Sequence, residues 1–109
     1  MTSVWAHRGA SGYAPENTLP AFELALEQGA DGFELDVQLT RDRHVVVLHD
    51  AGLSRTAGMK AMVKRKTLKE VQALDAGSWK GRSWKGLKIP TLDEVSGALP
   101  PGKILFVEI

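Results

Sequence analysis

His7, Arg8, Glu34, Asp36, His49 and Glu108 are the residues of this sequence whose types and spacing could do chemistry. In the stretch GFELDVQLT, Glu34 and Asp36 stand two apart between apolar neighbours. On an extended strand that spacing puts both carboxylates on one face, with about 6 to 7 Å between their Cα atoms. Side chains from there can converge on one hard cation such as Mg²⁺ or Ca²⁺, and Glu108, near the end of a later apolar run, could add a further oxygen. Without cysteine, and with the histidines apart, zinc is less favoured. The pair also has a plainer reading, as acids on the wet face of a half-exposed antiparallel strand.

His7 and His49 each end an apolar run, in VWAH and VVVLH. Neighbouring strands would bring the two imidazoles to opposite sides of one bound group, where one takes a proton while the other gives one. Each taken singly could instead be a capped or surface histidine. Arg8 carries a planar, permanently charged fork that suits a phosphate and would serve equally in a surface ion pair. Together these parts describe metal-dependent phosphoryl transfer, with charge borne on the phosphate oxygens and protons moved by the histidines. His44 falls in a turn and is expected to face solvent.

The elements that must position these residues can be read from periodicity. Ser3 to Ala6 is expected as a short buried strand, followed by a loop rich in turn residues, Gly9, Ser11, Gly12 and Pro15. A helix should start at Asn17 or Thr18, either of which can supply a capping oxygen, with Pro20 tolerated in the first turn. Leu19, Phe22 and Leu26 share one face of it, and Gly29 closes it. Phe33, Leu35, Val37 and Leu39 alternate with Glu34, Asp36 and Gln38, which is a strand. The chain then turns at Asp42 and Arg43, and Val45 to Leu48 runs back as another strand ending at His49 and Asp50. Residues 51 to 90 read as an excursion with one short helix, Thr67 to Leu74. Pro90 and Thr91 open a further helix to about Ala98, with Thr91 and Glu94 spaced as a capping box. KILFVEI is the last strand. The order is the βαβ pattern of a parallel sheet.

Composition narrows the class. A chain of 109 residues with 43% hydrophobic content suffices for one domain, and its lack of cysteine rules out disulfides and thiolate metal sites. His7 and Arg8 interrupt the apolar N-terminal residues at once, unlike a signal peptide, so the protein reads as soluble and cytoplasmic with no stable membrane anchor. The formal charge of +1 hides a split: residues 53 to 88 hold ten Lys and Arg against Glu70 and Asp75. That excess is either a solvated basic face or an attractor for an anionic partner. No aromatic interleaving supports nucleic acid. SWKGRSWKG repeats a short unit, too briefly for a repeat architecture.

The combination AHRGASGYAPENTLPAF, then ELDV, then HD, with the later IPTLDEV and VEI, closely resembles the glycerophosphodiester phosphodiesterase family along essentially the whole chain. The resemblance implies a TIM-type (β/α)₈ barrel with parallel strands, of which this chain would be the N-terminal portion. It also implies divalent-cation-dependent hydrolysis of glycerophosphodiesters, such as glycerophosphocholine or glycerophosphoethanolamine, to glycerol 3-phosphate and an alcohol. Carried over by position, His7 and His49 match the acid/base pair, Arg8 the phosphate contact, and Glu34, Asp36 and Glu108 the ligands of Mg²⁺ or Ca²⁺. Glu16 of PENT is expected behind the residues that touch substrate. In the family the substrate's own glycerol hydroxyl is thought to attack phosphorus, giving a cyclic phosphate that water opens.

Residues 51–90 resemble the family's insertion after the second barrel strand. Their basic excess would draw in the substrate, and Trp79 or Trp84 would either face a choline group or pack beneath the insertion. A whole barrel of this type needs about 250 residues. The 109 residues are therefore expected to be a partial domain, a piece of a longer protein with the remaining strands absent, whose open parallel edges favour self-association. Two other readings stay open: a catalytically incomplete barrel fragment that serves as an interaction or assembly module, and the same fold acting on a lysophospholipid.

Overall fold

The computed structural model describes residues 5–9, 11–100, 102 and 104–108. Four strands and four α-helices follow in order: β1 Trp5–His7, α1 Leu19–Glu27, β2 Gly32–Leu39, β3 Val45–Val47, α2 Ser54–Ala57, α3 Leu68–Gln72, α4 Leu92–Ala98 and β4 Ile104–Glu108. Single 3-10 turns cover Val63–Arg65 and Arg82–Trp84. Ser3 and Val4, expected in the first strand, lie outside the described residues. Within them the strand runs on to His7, one residue past the expected end.

The central strand is β2. It pairs in parallel with β1, Trp5 to Gly32 through His7 to Glu34, and in parallel with β4, Gly32 to Ile104 through Asp36 to Glu108. Its last three residues pair antiparallel with β3, from Val37 with Val47 to Leu39 with Val45. Arg8 N–H donates to the Glu34 carbonyl, and Leu48 N–H donates to the Asp36 carbonyl at 2.9 Å. Carbonyls two residues apart on a strand point to the same edge. One edge of β2 therefore receives the end of β1 first and the end of β3 next, which is how residues about forty apart meet.

Alternation divides β2 as expected. Phe33, Leu35 and Val37 are buried in a core with Phe22 and Ala25 of α1, Ala30, Val47 and Val95 of α4. Phe22 and Phe33 meet edge to face at 5.7 Å between ring centroids. Leu39, expected on this face, is half exposed because it ends the strand beyond the helices.

Helix α1 begins after Thr18, yet neither expected cap operates. Thr18 Oγ1 donates to the Pro15 carbonyl at 2.6 Å, and no side chain caps the helix. The PENT turn uses its polar groups to fold upon itself, leaving Pro20 to occupy the first turn where a missing N–H costs nothing. Gly29, at φ +84°, closes the helix as expected. The capping box of Thr91 and Glu94 on α4 is present, and Thr67 and Glu70 form a second on α3.

The excursion is more than a solvated face. Val46, Leu48, Leu53, Val63, Val71, Ala76 and Ile89 form a second buried cluster. β3 is shared between the two cores, Val47 facing one and Val46 the other. The short helix α2 and both 3-10 turns were not legible in the sequence, since each is too brief to show a period. Among the described residues no helix is long and apolar enough to cross a membrane.

Candidate active site

The loop after β1 is bent by its backbone. Arg8 sits at φ +57° and Gly9 at φ +77°, and a Cβ on Gly9 would stand 2.7 Å from the Ala21 carbonyl carbon. Only glycine lets this loop lie against α1, and the bend turns the Arg8 side chain back across the edge of β2. There Arg8 Nη1 donates to Glu16 Oε2 at 3.1 Å. Its Nε pairs with Asp36 Oδ2 at 3.3 Å, too poorly aligned to count as a hydrogen bond, and is buried without a hydrogen-bond partner among the described residues. Asn17, buried and also at positive φ, donates from Nδ2 to Asp36 Oδ2 at 3.3 Å. Two groups of the first loop thus converge on one strand carboxylate.

The end of β3 supplies the other half. Gln38 Nε2 donates to the His49 carbonyl at 3.0 Å, fixing the backbone, and His49 Nδ1 lies 2.9 Å from Asp50 Oδ1. Arg55, from α2, binds two carboxylates at once. Its Nε and one Nη donate to Asp50 at 2.9 and 3.0 Å, and its two Nη atoms donate to Glu16 at 2.9 and 3.0 Å. Asp36, Arg8, Glu16, Arg55, Asp50 and His49 form one chain of contacts running from the centre of the sheet to the excursion.

Electrostatics follow that geometry. The Arg55 guanidinium, and then His49, hold the Asp50 carboxyl down at about 2. Arg55 also lowers Glu16, against the opposing effect of burial, and the two carboxylates raise Arg55 in turn. Both carboxylates stay ionised, so the clamp stays charged.

Of the residues singled out from sequence, Arg8, Glu16 and Asp36 are in direct contact, and His49 joins them through Asp50 and Arg55. His7 is exposed and pairs in register with Glu34. Parallel register places both on the face that carries Asp36. Glu108 pairs in backbone register with Asp36, while its side chain lies outside what the structure describes. Arg55 and Asn17 were missed. Arg55 is one basic residue among ten in a segment read either as a solvated face or as an attractor for an anion, and Asn17 was read only as a helix cap. His44 is exposed in its turn, as expected.

Hard-cation chemistry fits the donors on this face. Glu34 is partly buried and its carboxylate has no hydrogen-bond or ion-pair partner among the described residues, and the side-chain contacts to the Asp36 carboxylate fall on Oδ2 alone. Two carboxylates with oxygen lone pairs to spare suit Mg²⁺ or Ca²⁺. Among the described residues no cluster of three acidic or histidine ligands is found, and Glu108 stands next to Asp36 in backbone register.

Histidine, arginine and paired carboxylates thus gather at the strand ends of one mixed sheet in an α/β fold. The chain belongs to the glycerophosphoryl diester phosphodiesterase family, which matches residues 7–108. It is 54% identical over 94 residues to the glycerophosphodiester phosphodiesterase of Caldanaerobacter subterraneus, covering 86% of this chain and 39% of that protein. The crystal structure of a glycerophosphodiester phosphodiesterase from Agrobacterium tumefaciens superposes with TM-score 0.94 at 40% identity, over 98% of this chain and 46% of that one. An Oleispira antarctica phosphodiesterase solved with its product sn-glycerol-3-phosphate superposes with TM-score 0.87 at 41% identity, over 98% of this chain and 44% of that one. The chain spans about two fifths of the length of the curated relatives it matches.

Proposed function

We propose that this protein hydrolyses glycerophosphodiesters, such as glycerophosphocholine or glycerophosphoethanolamine, to glycerol 3-phosphate and an alcohol. The observation that carries the reading is the meeting of two strand ends on one edge of β2: His7 and Arg8 arrive beside Glu34, and Leu48 to Asp50 arrive beside Asp36. Two imidazoles brought to one carboxylate-lined edge can divide the work of taking and giving a proton. The product named in the Oleispira structure supports the substrate class.

In this reading Arg8 contacts the phosphate. Its Nη1 is held by Glu16, which aims the guanidinium and leaves Nη2 without a partner among the described residues. His7, exposed at the strand end, and His49, held through Nδ1, exchange protons with the attacking and leaving oxygens. Glu34, Asp36 and Glu108 would hold a divalent cation, which when bound supplies positive charge to the phosphate oxygens. Residues 51–90 form the insertion, and the strands belong to a (β/α)₈ barrel.

Glu34→Gln tests the assignment. The variant keeps the shape of the strand and removes one anionic ligand. Phosphorus NMR of glycerophosphocholine should show glycerol 3-phosphate formed by the wild type and lost in the variant. Equal turnover by both would remove Glu34 from the metal-binding set.

A further inference from the structure

We infer that Arg55 is a positioning residue for this hydrolysis, fixing Asp50 and through it the tautomer of His49, while Glu16 and the indole of Trp79 hold Arg55 itself in place. The inference rests on the role given above to His49. It also assigns part of the 51–90 segment a task at the reacting group, beyond drawing in an anion.

The geometry uses the guanidinium as a double fork. Nε and one Nη close on Asp50, five residues earlier in the chain, and the two Nη atoms close on Glu16, thirty-nine residues earlier. All three nitrogens are engaged by carboxylates. Arg55 Cζ also lies 5.6 Å from the Trp79 ring centroid, within the range of a cation–π contact. Trp79 is fixed in turn by its Nε1–H, which donates to the Ala76 carbonyl at 3.0 Å. Lys80 stands 5.7 Å from the same ring and donates to the Ser11 carbonyl at 2.8 Å, tying this segment to the loop after β1. The Trp79 ring therefore already carries two cations of its own chain, which makes it a support for Arg55 rather than a free seat for a choline group.

The consequence falls on His49. Asp50 Oδ1 is an acceptor, so a neutral His49 ring facing it at 2.9 Å must carry its proton on Nδ1 and present Nε2 as a lone pair. His49 is exposed, and Asp50 alone is a short side chain free to rotate. Closing both Asp50 oxygens on one rigid fork removes that freedom. Lysine cannot replace the fork, because a single ammonium cannot close on two carboxylates in parallel pairs.

Imidazole nitrogen NMR and steady-state kinetics with glycerophosphocholine test the role in the wild type, Arg55→Ala and Arg55→Lys. His49 should populate the Nδ1–H tautomer in the wild type and a mixture in Arg55→Ala, and kcat should fall about tenfold to a hundredfold, as for other partners that orient a working histidine. In a His49→Ala background, Arg55→Ala should cost little more, since the two act as a unit. If circular dichroism shows Arg55→Ala unfolded, Arg55→Lys carries the same comparison. An active protein whose His49 tautomer and kcat ignore Arg55, or an undiminished Arg55 effect without His49, overturns the inference and leaves the hydrolysis reading standing. A wild type with no turnover overturns that reading, and the positioning role with it.

Discussion

Asn17 Nδ2 donates to Asp36 Oδ2 at 3.3 Å from a backbone at φ +57°, joining the PENT turn to the central strand. Two demands meet at this position, a left-handed backbone and a buried donor. Asparagine tolerates the left-handed region better than most residues because its short polar side chain can bond locally. Asn17→Ala should lose both and destabilise the protein by about 1 to 3 kcal/mol. Asn17→Gly, which restores the backbone but not the donor, should recover part of that loss. Urea unfolding of the two variants checks it, and equal losses would mean the backbone conformation contributes nothing.

Gly9 is a sharper case. Its φ of +77° and the 2.7 Å from a built Cβ to the Ala21 carbonyl carbon leave no relaxed place for a side chain. Gly9→Ala should push the Arg8 loop off α1 and lower stability by about 1 to 3 kcal/mol, the cost of a strained backbone residue. Turnover should fall further than stability does, because Arg8 moves with the loop. A variant with wild-type melting and turnover would contradict the close packing of this loop.

Acid should expose the clamp. Asp50 is held at about 2, below its ordinary value of 3.8, and Glu16 is also lowered. A carboxylate whose folded value is depressed adds stability at pH above its unfolded value and loses it as pH falls through the folded one. The Asp50 contribution is thus whole above about pH 4 and lost toward pH 2. Arg55→Ala, which removes the main cause, should flatten the fall in unfolding free energy across that window. Denaturant titrations at several pH values between 5 and 2 measure the slope, and an unchanged slope in the variant would be inconsistent with Arg55 as the cause.

Much of this arrangement was legible in the sequence because it depends on periodicity and on strand ends. The alternation from Phe33 to Gln38 fixed which side chains share a face, and the apolar runs ending at His7 and His49 located both imidazoles. What was not legible depends on contacts distant in the chain. The Thr18 hydroxyl looks like a cap, and only the folded PENT turn shows it donating to Pro15. Arg55 sits in a four-residue helix amid other basic residues, so nothing local marks it, and its partners lie five and thirty-nine residues away. The basic excess of residues 53 to 88 hid the one arginine that reaches the site. The excursion's buried cluster was likewise invisible, because Val63, Val71 and Ile89 come from a 3-10 turn, the short helix α3 and an irregular stretch.

The most direct test of the central claim is release of glycerol 3-phosphate from glycerophosphocholine by the purified protein, measured with Mg²⁺ or Ca²⁺, after chelation, and again in His7→Ala. The account predicts release that stops on chelation and is lost in the variant. Release that survives both the chelator and the loss of His7 would contradict it.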